Sequence, residues 1–265
     1  MKIAIGIEYD GSRFHGWQSQ PSGHTVQDHL ERALARIAGE QVRLAAAGRT
    51  DTGVHAMAQV AHFETAAKRP ESAWVRGVNA LLPQAVAVRW AVPVAEDFHA
   101  RYSAVSRTYR YVLYNHAVRP ALHHGRVGWF HLPLEPVAMR AAAAHLAGEH
   151  DFSAFRSSEC QAKSPVRTLR SWAIERRGAH LSFEFTANGF LHHMVRNIVG
   201  CLVYVGKGKH HSHWLGEVLA SRDRRRAAPT FSPDGLYLAA VEYAPVWKLP
   251  AFAPNLIFFP EQVLV

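Results

Sequence analysis

Cysteine is nearly absent: Cys160 and Cys201 are the only two in 265 residues, and they form no Cys-x-x-Cys pair. That excludes a disulfide framework and suits buried thiols in a reducing compartment. Long apolar runs are missing as well. None approaches the roughly 20 residues that a membrane-crossing helix needs, so no membrane partner is expected. The first residues, MKIAIGIEYD, alternate like a strand and reach Glu8 and Asp10 too early for a signal peptide. A cytoplasmic address is expected. Acidic residues are the scarcer charge: 21 Asp plus Glu stand against 30 Lys plus Arg, a net charge of +9 and a pI of about 9.9. A domain this basic usually meets a polyanion, although biased composition alone gives the same figure. With 48% hydrophobic and 19% charged residues, the chain can bury a sizeable core.

Motifs for nucleotides and metals are also lacking. Gly48 and Gly53 frame four residues like a phosphate loop, but Val54 and His55 stand where Lys and Ser or Thr are required. VGKGKHH (205–211) fails because Lys207 precedes Gly208, and there is no dinucleotide fingerprint. The 18 histidines include the adjacent pairs His123-His124, His192-His193 and His210-His211. Helical neighbours diverge by about 100°, so such pairs do not chelate as i, i+4 pairs do. No His-Glu-x-x-His is present. Neither a metal nor a cofactor is expected.

What is there reads as two α+β halves. Lys2–Tyr9 has strand character. Thr25 and Asp28 form a capping-box pattern before a helix whose face carries Val26, Leu30, Ala33, Leu34 and Ile37 and which ends near Gly39. Strands are expected over Val42–Ala46 and Met57–Glu64, a helix over Glu71–Leu82 stopped by Pro83, and a strand over Ala85–Val92. The second half predicts strands at Ala104–Asn115, Thr168–Arg176, Leu181–Ala187 and Gly235–Tyr243. Its helices fall at Pro136–Leu146, His192–Val205 and His213–Ala220. Both halves follow the β-α-β-β-α-β order of ferredoxin-like and RNA-recognition units, without residue-level repetition. The expected division is 1–100 and 101–265, with an apolar tail from Ala244 to Val265 that packs on the body or covers a partner subunit.

Three stretches carry candidate chemistry. In AGRTDTGVHA (47–56), Arg49 and Asp51 are i and i+2, which puts both on one side of extended chain. Asp51 alone is also an ordinary turn residue. In RTYRYVLYN (107–115), Arg and Tyr interleave, as suits base stacking with phosphate contact, or as a strand buried on both faces. In NGFLHHMVRNIVG (188–200), Arg196 lies on the stripe of His192 and Gly200, apart from Met194, Val195, Ile198 and Val199. It is either a snorkelling surface group or a buried cation that needs an anion. SRDRRR (221–226) reads as an exposed charge run able to touch phosphates without specificity.

Together GRTDTGVHA, FHARYSAVSRTYRYVLYN, FLHHMVRNIVG and GLYLAAVEY resemble the tRNA pseudouridine synthase A family, in order and over most of the chain from Ile7 to about Pro250. Thr52 stands where a small Ala is common, and APTFSPDGLYL is bulkier than in many relatives. The resemblance implies an α+β fold of two fused ferredoxin-like units whose antiparallel sheets flank a basic cleft. It implies a homodimeric isomerase, free of metal and cofactor, that converts uridine to pseudouridine at positions 38, 39 and 40 of the tRNA anticodon stem-loop. Asp51 then matches the essential carboxylate, which attacks C1′ or C6 or takes a sugar proton. Arg196 matches the cation that keeps it ionised. Tyr109 stacks on the extruded uracil and is the candidate for removing the C5 proton, Arg49 fills the vacated position, and Leu236 packs on the base. Two rivals remain: a non-catalytic RNA-binding protein built on two recognition units, and a base-removing glycosylase, which wants a second acid that is not evident here.

Overall fold

The computed structural model describes residues 1–250. The chain divides into two compact units, Met1–Val105 with 237–250, and Ser106–Leu236. In the first unit, β1 (Lys2–Tyr9) pairs antiparallel with both β3 (His55–Glu64) and β4 (Val86–Val94). The short β2 (Ala45–Ala46) also pairs with β3. Helix α1 (Val26–Ala38) begins at a complete capping box between Thr25 and Asp28 and ends at Gly39 in the left-handed region. Its expected face is buried at Val26, Leu30, Ala33 and Leu34, with Ile37 half-buried.

The pattern over-extends two elements here. The strand expected at Val42–Ala46 shrinks to its last two residues, because the Leu44 amide donates to the Glu31 carboxylate at 2.9 Å instead of to a neighbouring strand. The helix expected at Glu71–Leu82 covers only residues 71–79, with Ala73–Gly77 wound as a π-helix. It stops where the Asn79 side chain turns to the Val88 backbone, donating to the carbonyl and accepting from the amide, each at 2.8 Å.

In the second unit, β5 (Ala104–Asn115, its first two residues still in the first unit) pairs antiparallel with β9 (His180–Ala187). Strand β9 continues to β8 (Val166–Arg177), and β8 to β7 (Gly148–Asp151). Strand β6 (Gly128–Phe130) runs parallel to β5. The helices are α2 (Pro136–Ala143), α3 (Met194–Gly206) and α4 (Trp214–Ser221). Strands β6 and β7 have no clear sequence signal, being three and four residues long. The last strand, β10 (Leu236–Tyr243), was expected to close the second half. Its Tyr237 and Leu238 pair in parallel with His55 and Ala56 of β3, and all but its first residue belongs to the first unit.

The chain after β10 returns to the first unit's core. Trp247 packs edge-on against the fully buried Phe98 at 5.2 Å, and the Tyr243 hydroxyl donates to the Ala100 carbonyl at 2.6 Å. The rest of the apolar tail lies outside the described residues. Beside this core, the buried Lys2 ammonium donates to the carbonyls of Glu96 and Phe98. His62, only 7% exposed, accepts from the Ala100 amide at 3.2 Å.

Burial pushes the His62 imidazole down to about 4, and the positive neighbours His99 and Lys2 push the same way. The unfolded chain takes up this proton near pH 6.5, whereas the folded chain resists it until about pH 4. Stability carried by neutral His62 is therefore lost as pH falls through that window. Thermal unfolding from pH 7 to pH 4 is expected to show a falling midpoint for wild type, with a smaller fall for His62→Gln.

Candidate active site

The turn between β2 and β3 carries Arg49 and Asp51, and its shape is set from below by Thr50. Thr50 is buried, whereas Arg49 is exposed and Asp51 half-buried, so the backbone alternates as the i, i+2 spacing predicts. The Thr50 hydroxyl lies 2.8 Å from the Tyr9 hydroxyl, and its carbonyl accepts from the Trp17 amide at 3.0 Å. Burial raises the Tyr9 phenol far above its ordinary value, outweighing its hydrogen bonds to Thr50 and Gln59. Tyr9 therefore stays neutral and keeps a proton to share. The Gln59 amide donates to the Gly48 carbonyl at 2.7 Å, and Ala47 donates to Val60 at 2.7 Å. At the far end the Val54 amide closes a turn onto the Asp51 carbonyl at 3.1 Å.

The loop after β1 lies directly against this turn. A Cβ on Gly16 would stand 2.7 Å from the Thr50 carbonyl oxygen and 3.1 Å from the Asp51 carbonyl carbon, and its φ of +78° is left-handed. A Cβ on Gly11 would stand 1.9 Å from the Val54 carbonyl. Only glycine lets two backbones approach so closely. Sequence reading passed over these supports, Tyr9, Gly11, Gly16, Trp17 and Thr50. The available signal was the pair of glycines in DGSRFHGW, otherwise readable as plain loop composition.

His55 anchors the same turn where β3 begins. Its buried ring stacks on Tyr237 at 4.6 Å, across the rung that joins β3 to β10. Its Nδ1 lies 3.2 Å from the Asp10 carboxylate, and this hydrogen bond is the largest influence holding Asp10 well below the usual carboxylate range.

The other candidates, Tyr109, Arg196 and Leu236, lie in the second unit. Strand β5 is the two-sided buried strand that its sequence allowed. Tyr111 and Val112 are both fully buried, the Tyr111 hydroxyl donates to the Ser232 carbonyl at 2.9 Å, and Arg110 pairs with Glu184 at 2.8 Å. Arg110 and Tyr111 are thus committed to the fold. Tyr109 is 9% exposed and meets Phe190 edge-on at 5.0 Å.

Helix α3 starts two residues later than expected because His193 takes a left-handed φ of 63°. Its apolar stripe, Met194, Val195, Ile198, Val199 and Leu202, is buried as predicted. The stripe of Arg196 and Gly200 instead receives the segment leading to β10. Gly200 lets the Pro229 carbonyl come in, to 2.4 Å from where a Cβ would stand. Half-buried Arg196 donates from Nε to the Phe231 carbonyl at 2.8 Å. Phe231 packs edge-on against Tyr111 at 5.7 Å, and five residues later Leu236 is 5% exposed. Arg196 is therefore not a snorkelling group but is tied to the segment that leads to Leu236.

SRDRRR is not one exposed run. Asp223 grips Arg225 at 2.8 Å, while Arg224 folds inward, donating to the Asn197 side chain at 3.0 Å, to Thr230 at 3.1 Å and to the Ala228 carbonyl at 2.9 Å. Asn197 in turn donates to the Phe155 carbonyl at 2.7 Å.

A family model described as tRNA pseudouridine synthase matches residues 5–103 and 142–244. The chain belongs to the tRNA pseudouridine synthase family. All five candidates but Tyr109 fall inside the matched segments. Over 250 residues the chain is 62% identical to the tRNA pseudouridine synthase A of Aromatoleum aromaticum, covering 94% of this chain and 95% of that protein. It is 60% identical to the protein of the same name from Burkholderia mallei and 57% to that from Paraburkholderia xenovorans, each match covering 94% of this chain and 93% of the relative.

In this synthase, the Thr50 anchor is expected to matter twice. Thr50→Val removes one of the two partners of a buried phenol and should cost about 1 kcal/mol of stability. Gly16→Ala presses on the Thr50 and Asp51 backbone and should lower kcat by on the order of 10- to 100-fold, since small displacements at a candidate active site are costly. Single-turnover kinetics beside urea unfolding will separate the two effects.

Proposed function

We propose that this protein isomerises uridine to pseudouridine in tRNA, acting at positions 38, 39 and 40 of the anticodon stem-loop, with Asp51 as the catalytic carboxylate. The observation that carries the reading is the Asp51 turn. Within a matched family segment, a half-buried carboxylate sits on a loop braced by a buried threonine, a neutral tyrosine and two close-approach glycines. Structure spent on rigidity beneath one side chain is what pre-organised chemistry requires, and an ordinary turn aspartate needs none of it.

The reaction breaks the bond from uracil N1 to C1′, turns the base and joins C5 to C1′. Asp51 either adds to C1′ or C6 or removes a sugar proton, and it must be ionised for each. The same proposal gives Arg196 the task of favouring that ionised form. Tyr109 stacks on the extruded base and accepts the C5 proton, a step that an ordinary phenol of pKa near 10 performs only with assistance. Leu236 packs on the base, and Arg49, the exposed neighbour of the turn, fills the place the uridine leaves. The basic composition supplies attraction to the RNA backbone, and the working form is a cytoplasmic homodimer.

Carbodiimide mapping of tRNA from cells with and without the protein tests the substrate. The expected result is a signal at the three anticodon-arm positions that requires the protein. Asp51→Asn is expected to abolish that signal while tRNA binding and the free energy of unfolding stay within about twofold and about 1 kcal/mol of wild type. Full activity in Asp51→Asn would leave the catalytic role without support, and an abasic site in place of pseudouridine would mark a glycosylase.

A further inference from the structure

The second unit holds a concave pocket of about 480 Å³ whose lining includes Ser153, Arg156, Ser157, His193, Arg224 and Thr230. Among the described residues no acidic side chain lines it. The two guanidiniums are half-buried and hydrogen-bond to neutral oxygens, Arg156 also to the Cys160 sulfur. Arg224 uses Asn197, Thr230 and the Ala228 carbonyl, and Arg156 donates to the Cys160 carbonyl at 2.5 Å. Among the described residues no carboxylate lies within ion-pair distance of either. Asp223 pairs with Arg225 at 2.8 Å, and Asp151 pairs with Arg222 at 3.5 Å while also feeling the Arg156 charge from beyond ion-pair distance.

Two half-buried cations face one cavity with no carboxylate in its lining, an arrangement that favours an entering anion. The hydroxyls and guanidinium N–H groups around it are the donors that phosphate oxygens accept from. The arrangement is also held in place. Asn197, fully buried in α3, accepts from both Arg224 and Thr230 at 3.0 and 2.7 Å. At the pocket wall, His193 holds a left-handed backbone (φ 63°) that a non-glycine residue adopts only when its surroundings enforce it.

We infer that this pocket binds a backbone phosphate of the RNA substrate, with Arg156 and Arg224 as its charged donors. The inference rests on the tRNA reading above. It assigns Arg156 and Arg224, which that reading leaves unused, to substrate positioning and not to chemistry. A phosphate contact of this kind orients the strand and carries no sequence information.

The test measures tRNA affinity across a salt series for wild type, Arg156→Gln, Ser158→Glu and Arg225→Gln. Ser158 is an exposed residue of the pocket lining, so a new carboxylate there opposes an anion with little risk to folding. Arg225 is exposed, paired with Asp223 and outside the lining, so it controls for loss of charge. Arg156→Gln and Ser158→Glu are expected to weaken binding roughly tenfold, and Arg156→Gln to lower the slope of log K against log salt by about 0.7–0.9. Arg225→Gln should change neither. Cooperative unfolding with a midpoint close to that of wild type establishes that the variants are folded.

Unchanged affinity and slope in folded variants overturn the inference. So does an equal loss in Arg225→Gln, which would indicate a diffuse basic surface. If inorganic phosphate raises the unfolding midpoint of wild type but not of Arg156→Gln, while tRNA binding is the same in both, the pocket takes a free anion and the RNA assignment fails. Pseudouridine formation by wild type is scored separately. Its absence overturns the activity and leaves the pocket to be judged on affinity alone.

Discussion

The bond between the Tyr9 and Thr50 hydroxyls, 2.8 Å long and buried, is the constraint on which the Asp51 turn depends. A turn at the end of a strand is ordinarily among the most mobile parts of a domain. Here its middle residue is drawn into the core, so its neighbours on either side must face outward. The phenol contributes because burial keeps it neutral. A charged phenolate at that depth would carry an unmet desolvation cost. Gly16 and Gly11 complete the support by letting a second backbone lie against the turn where any side chain would collide.

The second unit applies the same principle with a helix. Residues of α3 that face away from its apolar stripe look, from their spacing alone, like a solvated side. They form instead a seat for the 228–231 segment. Cys201 accepts from the Ala228 amide at 3.3 Å, Gly200 admits the Pro229 carbonyl, Asn197 holds Thr230, and Arg196 donates to the Phe231 carbonyl. That segment leads into Leu236 and β10, so one helix face decides where the last strand begins.

Charge is sorted just as locally. Of the arginines in the Tyr-rich strand and the SRDRRR run, Arg110 is held by Glu184 and Arg225 by Asp223, whereas Arg224 is turned inward onto neutral oxygens. A net charge of +9 gives no hint of that division. It follows from which carboxylates the fold carries within reach.

Periodicity and capping chemistry are local properties, and the sequence by itself determined what depends on them. It set the α1 face and its caps at Thr25 and Gly39, the strand character of β1, β5 and β9, the buried stripe of α3, and the outward pair Arg49 and Asp51 around Thr50. The motifs around these residues also pointed to the synthase family. Tertiary structure decided whatever needed a partner distant in the chain. It cut β2 to two residues because Glu31 captured the Leu44 amide, and ended the second helical segment at Asn79 because Val88 was opposite. It placed β10 beside β3, made Arg110 and Tyr111 structural, and turned Arg224 into a pocket. Each of these outcomes is a contact between groups many residues apart, and neither spacing nor composition specifies which distant groups will meet.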